Sequence, residues 1–327
     1  DRAGPAMGNE QRHGVGVGNA TDGLVLTLRA LGIGAGDEVI TVANTAVPTV
    51  SAIVAAGATP AFVDIDPATC LMDVAQLETA VGARTRAIMP VHLFGQCVDM
   101  ERVTAVAARH GLLVIEDCAQ AHGAMRHGRR AGSLSRAGVF SFYPTKPLGA
   151  YGDGGMIVSD DVDLTDHLRR LRLYGMRETY YAEEGGFNSR LDEVQAEILR
   201  CKLKRLDGYI ARRRTLAANY DRLFAGTELG LPATLAVNEH VFYRYVVRHA
   251  GRDHILAGLR RQGIDLDVNY PHAIHLMPAY ASPGFGAGSL PATEAAAREV
   301  FSLPLYPSLE DSEQGRVREA IGALLDS

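Results

Sequence analysis

Apolar and polar positions fall into two alternating rhythms along the chain. Short apolar runs bounded by turn residues predict strands, and longer stretches with apolar positions at helical spacing predict helices. A strand over 14–18 leads into an amphipathic helix over 19–31, followed by a strand over 39–42. A helix over 45–56 has Pro48 early enough to fit its first turn. Next come a strand over 61–64, a helix over 73–81, a strand over 87–91, a helix over 99–110 and a strand over 112–115. Gly32, Gly57 and Gly111 stand where the helices should end. Strands alternating with helices at this spacing predict an α/β fold, a mainly parallel sheet with helices on both faces.

Two further strands, over 140–142 and 156–158, and helices over 163–173 and 191–205 complete this region. A longer helical stretch over 206–224 leads away from it. The remainder reads as a strand over 241–247, a helix over 253–262, a strand over 266–268 and two closing helices. The expected division is therefore a large domain over 1–205, with the crossing helix and a small α+β domain over 206–327. Residues 1–11 are polar, without a period, and read as a loop.

Composition narrows the function classes. A chain of 327 residues can bury one large core and a second, smaller one. The net charge of −5 comes with no basic stripe, which argues against nucleic acid or an anionic membrane as partner. No apolar run approaches a membrane span, and no signal peptide is visible. Cys70, Cys97, Cys118 and Cys201 are scattered, without the spacing of a zinc or redox motif, so a reducing, cytoplasmic location is expected.

The candidate chemistry lies at two strand ends. The apolar run over 112–115 finishes on Glu116 and Asp117, and the run over 139–142 leads through Tyr143, Pro144 and Thr145 to Lys146, with glycines at 149, 152, 154 and 155. Singly, a lysine in a glycine-rich turn is ordinarily a solvated surface group, and an aspartate after a strand is ordinarily a helix cap. Together, with Ser141 five residues before Lys146, they suit pyridoxal phosphate. A primary amine can form the Schiff base, and a carboxylate can keep the pyridine nitrogen protonated. The glycines at 14, 16 and 18 suggest a nicotinamide site, but they miss the dinucleotide fingerprint and no acidic residue clearly ends the second strand. Thr21 and Asp22 do open a helix, where free N–H groups and the dipole attract an anion. An ordinary cap at Asn19 or Thr21 accounts for the same residues.

The segments Glu116-Asp117-Cys118-Ala119-Gln120-Ala121-His122-Gly123, Phe140-Ser141-Phe142-Tyr143-Pro144-Thr145-Lys146 and Gly152-Asp153-Gly154-Gly155 resemble the DegT-type sugar aminotransferases. That family lies within the fold-type I pyridoxal phosphate superfamily, and the resemblance runs from about Gly14 to the C-terminus. It implies a mainly parallel sheet of the seven-stranded type, a homodimer with shared active sites, and further residues, including a helix, ahead of position 1. By the same resemblance Lys146 links the cofactor and shuttles a proton, and Asp117 holds the pyridine nitrogen. Gln120 approaches the ring hydroxyl, Ala119 lets the ring lie flat, and Ala20, Thr21, Asp22 and Ser141 take the phosphate. Asn188 reaches the phosphate of the neighbouring subunit. Ala46 stands where relatives place an aromatic ring against the cofactor, a contact worth about 1 kcal/mol. Pro147 replaces a frequent asparagine, and Tyr174 stands where relatives often have histidine. Tyr270 and His275 fall in a segment over 269–280 that resembles the sugar-proximal part of the family and leans toward amination at the third carbon.

The function these features imply converts a nucleotide-linked keto sugar to an amino sugar in deoxysugar or natural-product biosynthesis. Glutamate or glutamine is the donor, and the cofactor alternates with pyridoxamine phosphate. Cyclitol aminotransferases and aminobenzoate-type synthases share most of the motifs. The dehydratases of this fold carry histidine at the lysine position, so Lys146 argues against them. A non-enzymatic, cofactor-binding sensor is the alternative from another class.

Overall fold

The computed structural model describes residues 13–282 and 284–325; the loop expected over 1–11 lies outside them. A seven-stranded sheet organises the large part of the molecule. Its strands are β1 (His13–Val17), β2 (Glu38–Val42), β3 (Thr59–Val63), β4 (Thr85–Ile88), β5 (Leu113–Asp117), β6 (Ala137–Ser141) and β7 (Gly155–Ser159). Their spatial order is β1-β7-β6-β5-β4-β2-β3. β7 runs antiparallel to both neighbours, and the other pairings are parallel.

Residues at alternate positions explain why both faces are covered. Val39, Ala87, Ile115, Val139 and Ile157 point into one core with Leu24, Leu28, Ala52 and Ile53 from α1 (Ala20–Ala30) and α2 (Val47–Ala56). Ile40, Ile88, Val114, Phe140 and Val158 point into the other, beneath helices that contribute Val103, Val106 and Leu199. A sheet buried on both faces needs such uninterrupted apolar strands. α1 begins on Asn19, whose side chain accepts from Asp22 N at 2.8 Å, and α2 has its proline near the start, as expected.

Beyond these, α3 (Leu77–Ala80), α4 (Met100–His110), α5 (Val162–Leu171) and α6 (Glu193–Leu203) precede the long α7 (Leu206–Leu223). A third core gathers Leu216, Tyr220 and Phe224 with Tyr245 and Val247 of β8 (Tyr245–Arg248) and Phe301 and Leu303 of β9 (Val300–Leu303). α8 (Arg252–Arg261) and α10 (Asp311–Leu325) pack on this core, and α9 (Pro291–Glu299) precedes β9.

Three expectations are corrected. The helix over 73–81 is a 3-10 turn, Val74–Gln76, followed by the single turn of α3. The strand over 241–247 begins only at Tyr245, because Phe242 has φ +46° and the preceding residues dock on a turn of the large sheet. No strand forms over 266–268; one backbone bond, Ser302 N to Asp267 O at 2.8 Å, is made there. β8 instead pairs with β9, which the sequence pattern left unmarked.

Candidate active site

The pairing register brings the predicted residues to one edge of the sheet. Gly155 lies opposite Val17 of β1 and Ser141 of β6, and Val139 lies opposite Asp117. The start of α1, Ser141 and Asp117 therefore share the carboxyl edge of the parallel strands, with the loop after β2 on the same side. Ligands bind α/β sheets at this edge. Gly155 permits the close approach: a Cβ there would lie 2.6 Å from the Asn19 carbonyl carbon and 2.8 Å from Ala20 N.

Asp117 is 5 % exposed, at the end of β5. Its Oδ1 accepts from Ala119 N at 3.1 Å and its Oδ2 from Thr49 Oγ1 at 2.8 Å. The Thr49 proton is thereby committed, so the Thr45 hydroxyl, 2.9 Å away, donates to Thr49. Thr45 and Thr49 were not anticipated. Their spacing of four at a helix start, which puts both on one face, was the available signal.

Gln120 is also buried and fixed in orientation. Its Oε1 accepts from Phe94 N at 2.8 Å, so its amide nitrogen faces Tyr270 Oη, to which it donates at 2.8 Å. Among the described residues its second N–H has no partner, and it could meet a ring hydroxyl. Burial pushes the Tyr270 phenol up. Ala46 caps α2 without a side-chain bond and is half-buried.

Lys146 is half-buried in the turn after β6, its N donating to Tyr143 O at 2.9 Å. Its Nζ lies over the Tyr243 ring, 4.9 Å from the centroid. Nothing in the sequence connected Tyr243 with Lys146. Behind them His122 is fully buried between Phe140 and Phe142. Burial, reinforced by the Lys146 charge, holds its imidazole down to about 3.

The first turn of α1 leaves backbone N–H groups outside the helix ladder. Asp22 is occupied as an acceptor: Ser189 Oγ donates to its Oδ2 at 2.7 Å while accepting from Gly18 N at 2.9 Å. Asn188, next to that anchor, is exposed. Tyr174 is exposed, at φ +58°. His275 is 1 % exposed, bonded through Nε2 to Glu294 Oε1 at 3.2 Å and packed near Phe62, and its neighbour Ile274 donates from N to Ala43 O, just after β2, at 3.1 Å. His92 and Glu116, with Cys118, form a buried group of metal-ligand types. Glu116 is already held by the His92 ring, Gly132 N, Leu134 N and Ser135 Oγ, so the set serves the loop instead.

The site fits pyridoxal phosphate: a fixed buried carboxylate, an amide with one free N–H, an amine and a helix start lie along one sheet edge. The model of the DegT/DnrJ/EryC1/StrS aminotransferase family matches residues 7–322. A dTDP-3-amino-3,4,6-trideoxy-alpha-D-glucose transaminase of Micromonospora megalomicea subsp. nigra is 54 % identical over 315 residues, 94 % of this chain and 84 % of the relative. The crystal structure of S. venezuelae DesV in complex with a ketimine intermediate superposes with a TM-score of 0.96 at 44 % identity, covering 99 % of this chain and 87 % of that one. NtdA from Bacillus subtilis with bound cofactor PMP gives a TM-score of 0.90 at 30 % identity, covering 99 % and 78 %.

Proposed function

The chain belongs to the DegT/DnrJ/EryC1/StrS aminotransferase family, and from that premise we propose how its own residues serve the reaction and on which sugar. It is a pyridoxal phosphate-dependent aminotransferase acting on a nucleotide-linked keto sugar. When bound, the cofactor supplies an electron sink through which an amino group passes between an amino acid and a ketone.

Lys146 Nζ would hold the cofactor covalently and, when free, would take up and return the proton that the transfer moves. Asp117, its carboxylate fixed by Thr49 and Ala119 N, would keep the pyridine nitrogen of a bound cofactor protonated. Gln120 offers its remaining N–H to the ring hydroxyl. Ala119 and Ala46, both small, would leave room for the ring. Ala20, Thr21 and the helix start take the phosphate with Ser141, and Asp22, engaged by Ser189, orders that turn. Asn188 reaches the neighbouring subunit's phosphate, so the working form is a homodimer. The domain over 1–205 would hold the cofactor and that over 206–327 would complete the sugar side, with Tyr174, Tyr270 and His275 as the substrate-contact candidates. Tyr270 reaches the site through Gln120. The sugar is dTDP-linked and carries its ketone at the third carbon, as the product name of the Micromonospora relative suggests; glutamate or glutamine is the donor.

The observation that carries this reading is the buried Asp117 carboxylate, held by two donors one strand away from the turn that bears Lys146. The test loads purified protein with pyridoxal phosphate and presents glutamate, then a panel of dTDP- and UDP-linked keto sugars and a cyclitol ketone. Glutamate should bleach the visible band, and a 3-keto dTDP sugar should restore it with release of the amino sugar. Lys146→Ala should lose both the band and turnover; undiminished turnover in that variant would end the reading. Restoration by the cyclitol alone would replace the sugar.

A further inference from the structure

Tyr243 comes from the segment before β8 and is 7 % exposed. Three contacts fix that segment. Val241 N donates to Gly95 O at 2.8 Å. Gly95, at φ +107°, lets the chain approach, since a Cβ there would lie 2.8 Å from Val241 Cγ2 and 2.9 Å from Tyr243 N. Arg213 of α7, itself buried, donates to the carbonyls of Phe242, Tyr243 and Leu305 at 3.2, 3.2 and 2.8 Å. The ring thus held meets two cations. Lys146 Nζ is 4.9 Å from its centroid, and the Arg244 guanidinium carbon, anchored through Asp267, is 5.3 Å away. Burial pushes the Tyr243 phenol up, but Lys146, a hydrogen bond with Thr145 and Arg244 outweigh it and leave the phenol below its ordinary value.

We propose that Tyr243 is a positioning residue for Lys146: its ring face seats the Nζ amine whenever that amine is not covalently engaged. The inference rests on the reading of Lys146 as the cofactor-linking lysine. A four-carbon stem has many rotamers, and an amine released into water would have to be ordered again at every turnover. An aromatic face within about 6 Å attracts an ammonium without a directional bond, so it biases the stem and still lets it go. The ring is contributed by the chain beyond the crossing helix, so the amine's position depends on how that segment docks on the Phe94–Gly95 turn.

Cofactor-free protein and the variants Tyr243→Phe and Tyr243→Leu are mixed with pyridoxal phosphate, and the visible band of the Lys146-linked cofactor is followed in time. Phenylalanine keeps the face, whereas leucine fills much of the space without it. The Phe variant should capture the cofactor within about twofold of the wild-type rate and the Leu variant about tenfold more slowly. Equal rates for the two overturn the inference. Should the Leu variant not fold, the phenol itself gives the answer. The ultraviolet titration of Tyr243, isolated by subtracting the Tyr243→Phe protein, is compared in cofactor-free protein with and without Lys146→Ala. Removing the amine should move the titration to higher pH, and an unmoved titration overturns the seat. Wild-type protein that takes up no cofactor at Lys146 would remove the functional reading itself. Uptake with identical Phe and Leu rates removes only the role of Tyr243.

Discussion

Asp117 has two carboxylate oxygens, one fixed by the nearby backbone at Ala119 and the other by Thr49 on helix α2. A carboxylate aimed by a single donor could rotate away from a ring nitrogen. Thr49→Val keeps the shape and removes that donor. Losing one hydrogen bond to a charged group costs about 1.5–3 kcal/mol, so cofactor affinity should fall by about tenfold or more, read by fluorescence titration of the cofactor-free protein. The buried histidines make a second residue-level prediction. His122 and His240 are each held down to about 3, mainly by burial, well below the ordinary imidazole value. The unfolded chain then binds more protons than the folded one as pH falls below about 6.5, so stability present at neutral pH is lost toward pH 3. Each histidine should remove about 2 kcal/mol between pH 7 and 5. Urea denaturation at both pH values checks this, and His122→Phe should flatten the dependence. Of these residues Asp117 and Lys146 stood out in sequence because apolar strands end beside them. Thr49 did not, since its partner is distant along the chain.

Among the elements, α1 carries the most consequence for the site, because its first turn is where an anion would be held. The cap bond from Asp22 N to Asn19 Oδ1 secures that turn, and Asn19→Ala should cost about 1 kcal/mol, seen as a lowered melting temperature. Gly155→Ala tests the same turn from the sheet side. An added Cβ at 2.6–2.8 Å from the Asn19 and Ala20 backbone must push the helix start away. Phosphate competition against cofactor uptake should weaken more than global stability does. Most of the strands and helices were legible in sequence, because their apolar periods match buried faces. Two of the exceptions share one cause. Residues 266–268 have strand-like composition but only a single backbone bond to a neighbour, and Val300–Leu303 becomes a strand because β8 lies beside it.

At the scale of the whole molecule, Arg213 ties the crossing helix to the segment that supplies Tyr243. Arg213→Leu would leave the half-buried Phe242 carbonyl and the buried Tyr243 and Leu305 carbonyls without this donor, at about 1–3 kcal/mol for each buried one. It should lower stability by about 3 kcal/mol or more, measured by chemical denaturation. The proposed shared site predicts complementation between subunits. Lys146→Ala and Asn188→Ala proteins, each weakened alone, should regain activity when unfolded and refolded together. A random mixture rebuilds about a quarter of the sites, those pairing an intact Lys146 with an intact Asn188. Activity no greater than the sum of the two alone would count against a site completed by the neighbour.

By itself the sequence determined most of the elements and singled out Asp117 and Lys146 as candidates, since periodicity and strand-end chemistry are local properties that short segments carry. It did not determine which distant groups hold that pair in place. Thr49 on Asp117, Tyr270 on Gln120 and Tyr243 beneath Lys146 are contacts between segments far apart in the chain. His275, for the same reason, is packed against Phe62 and Glu294. Such contacts follow from strand order and helix docking, which depend on the free energy of burying all the faces at once and leave no mark on any one segment.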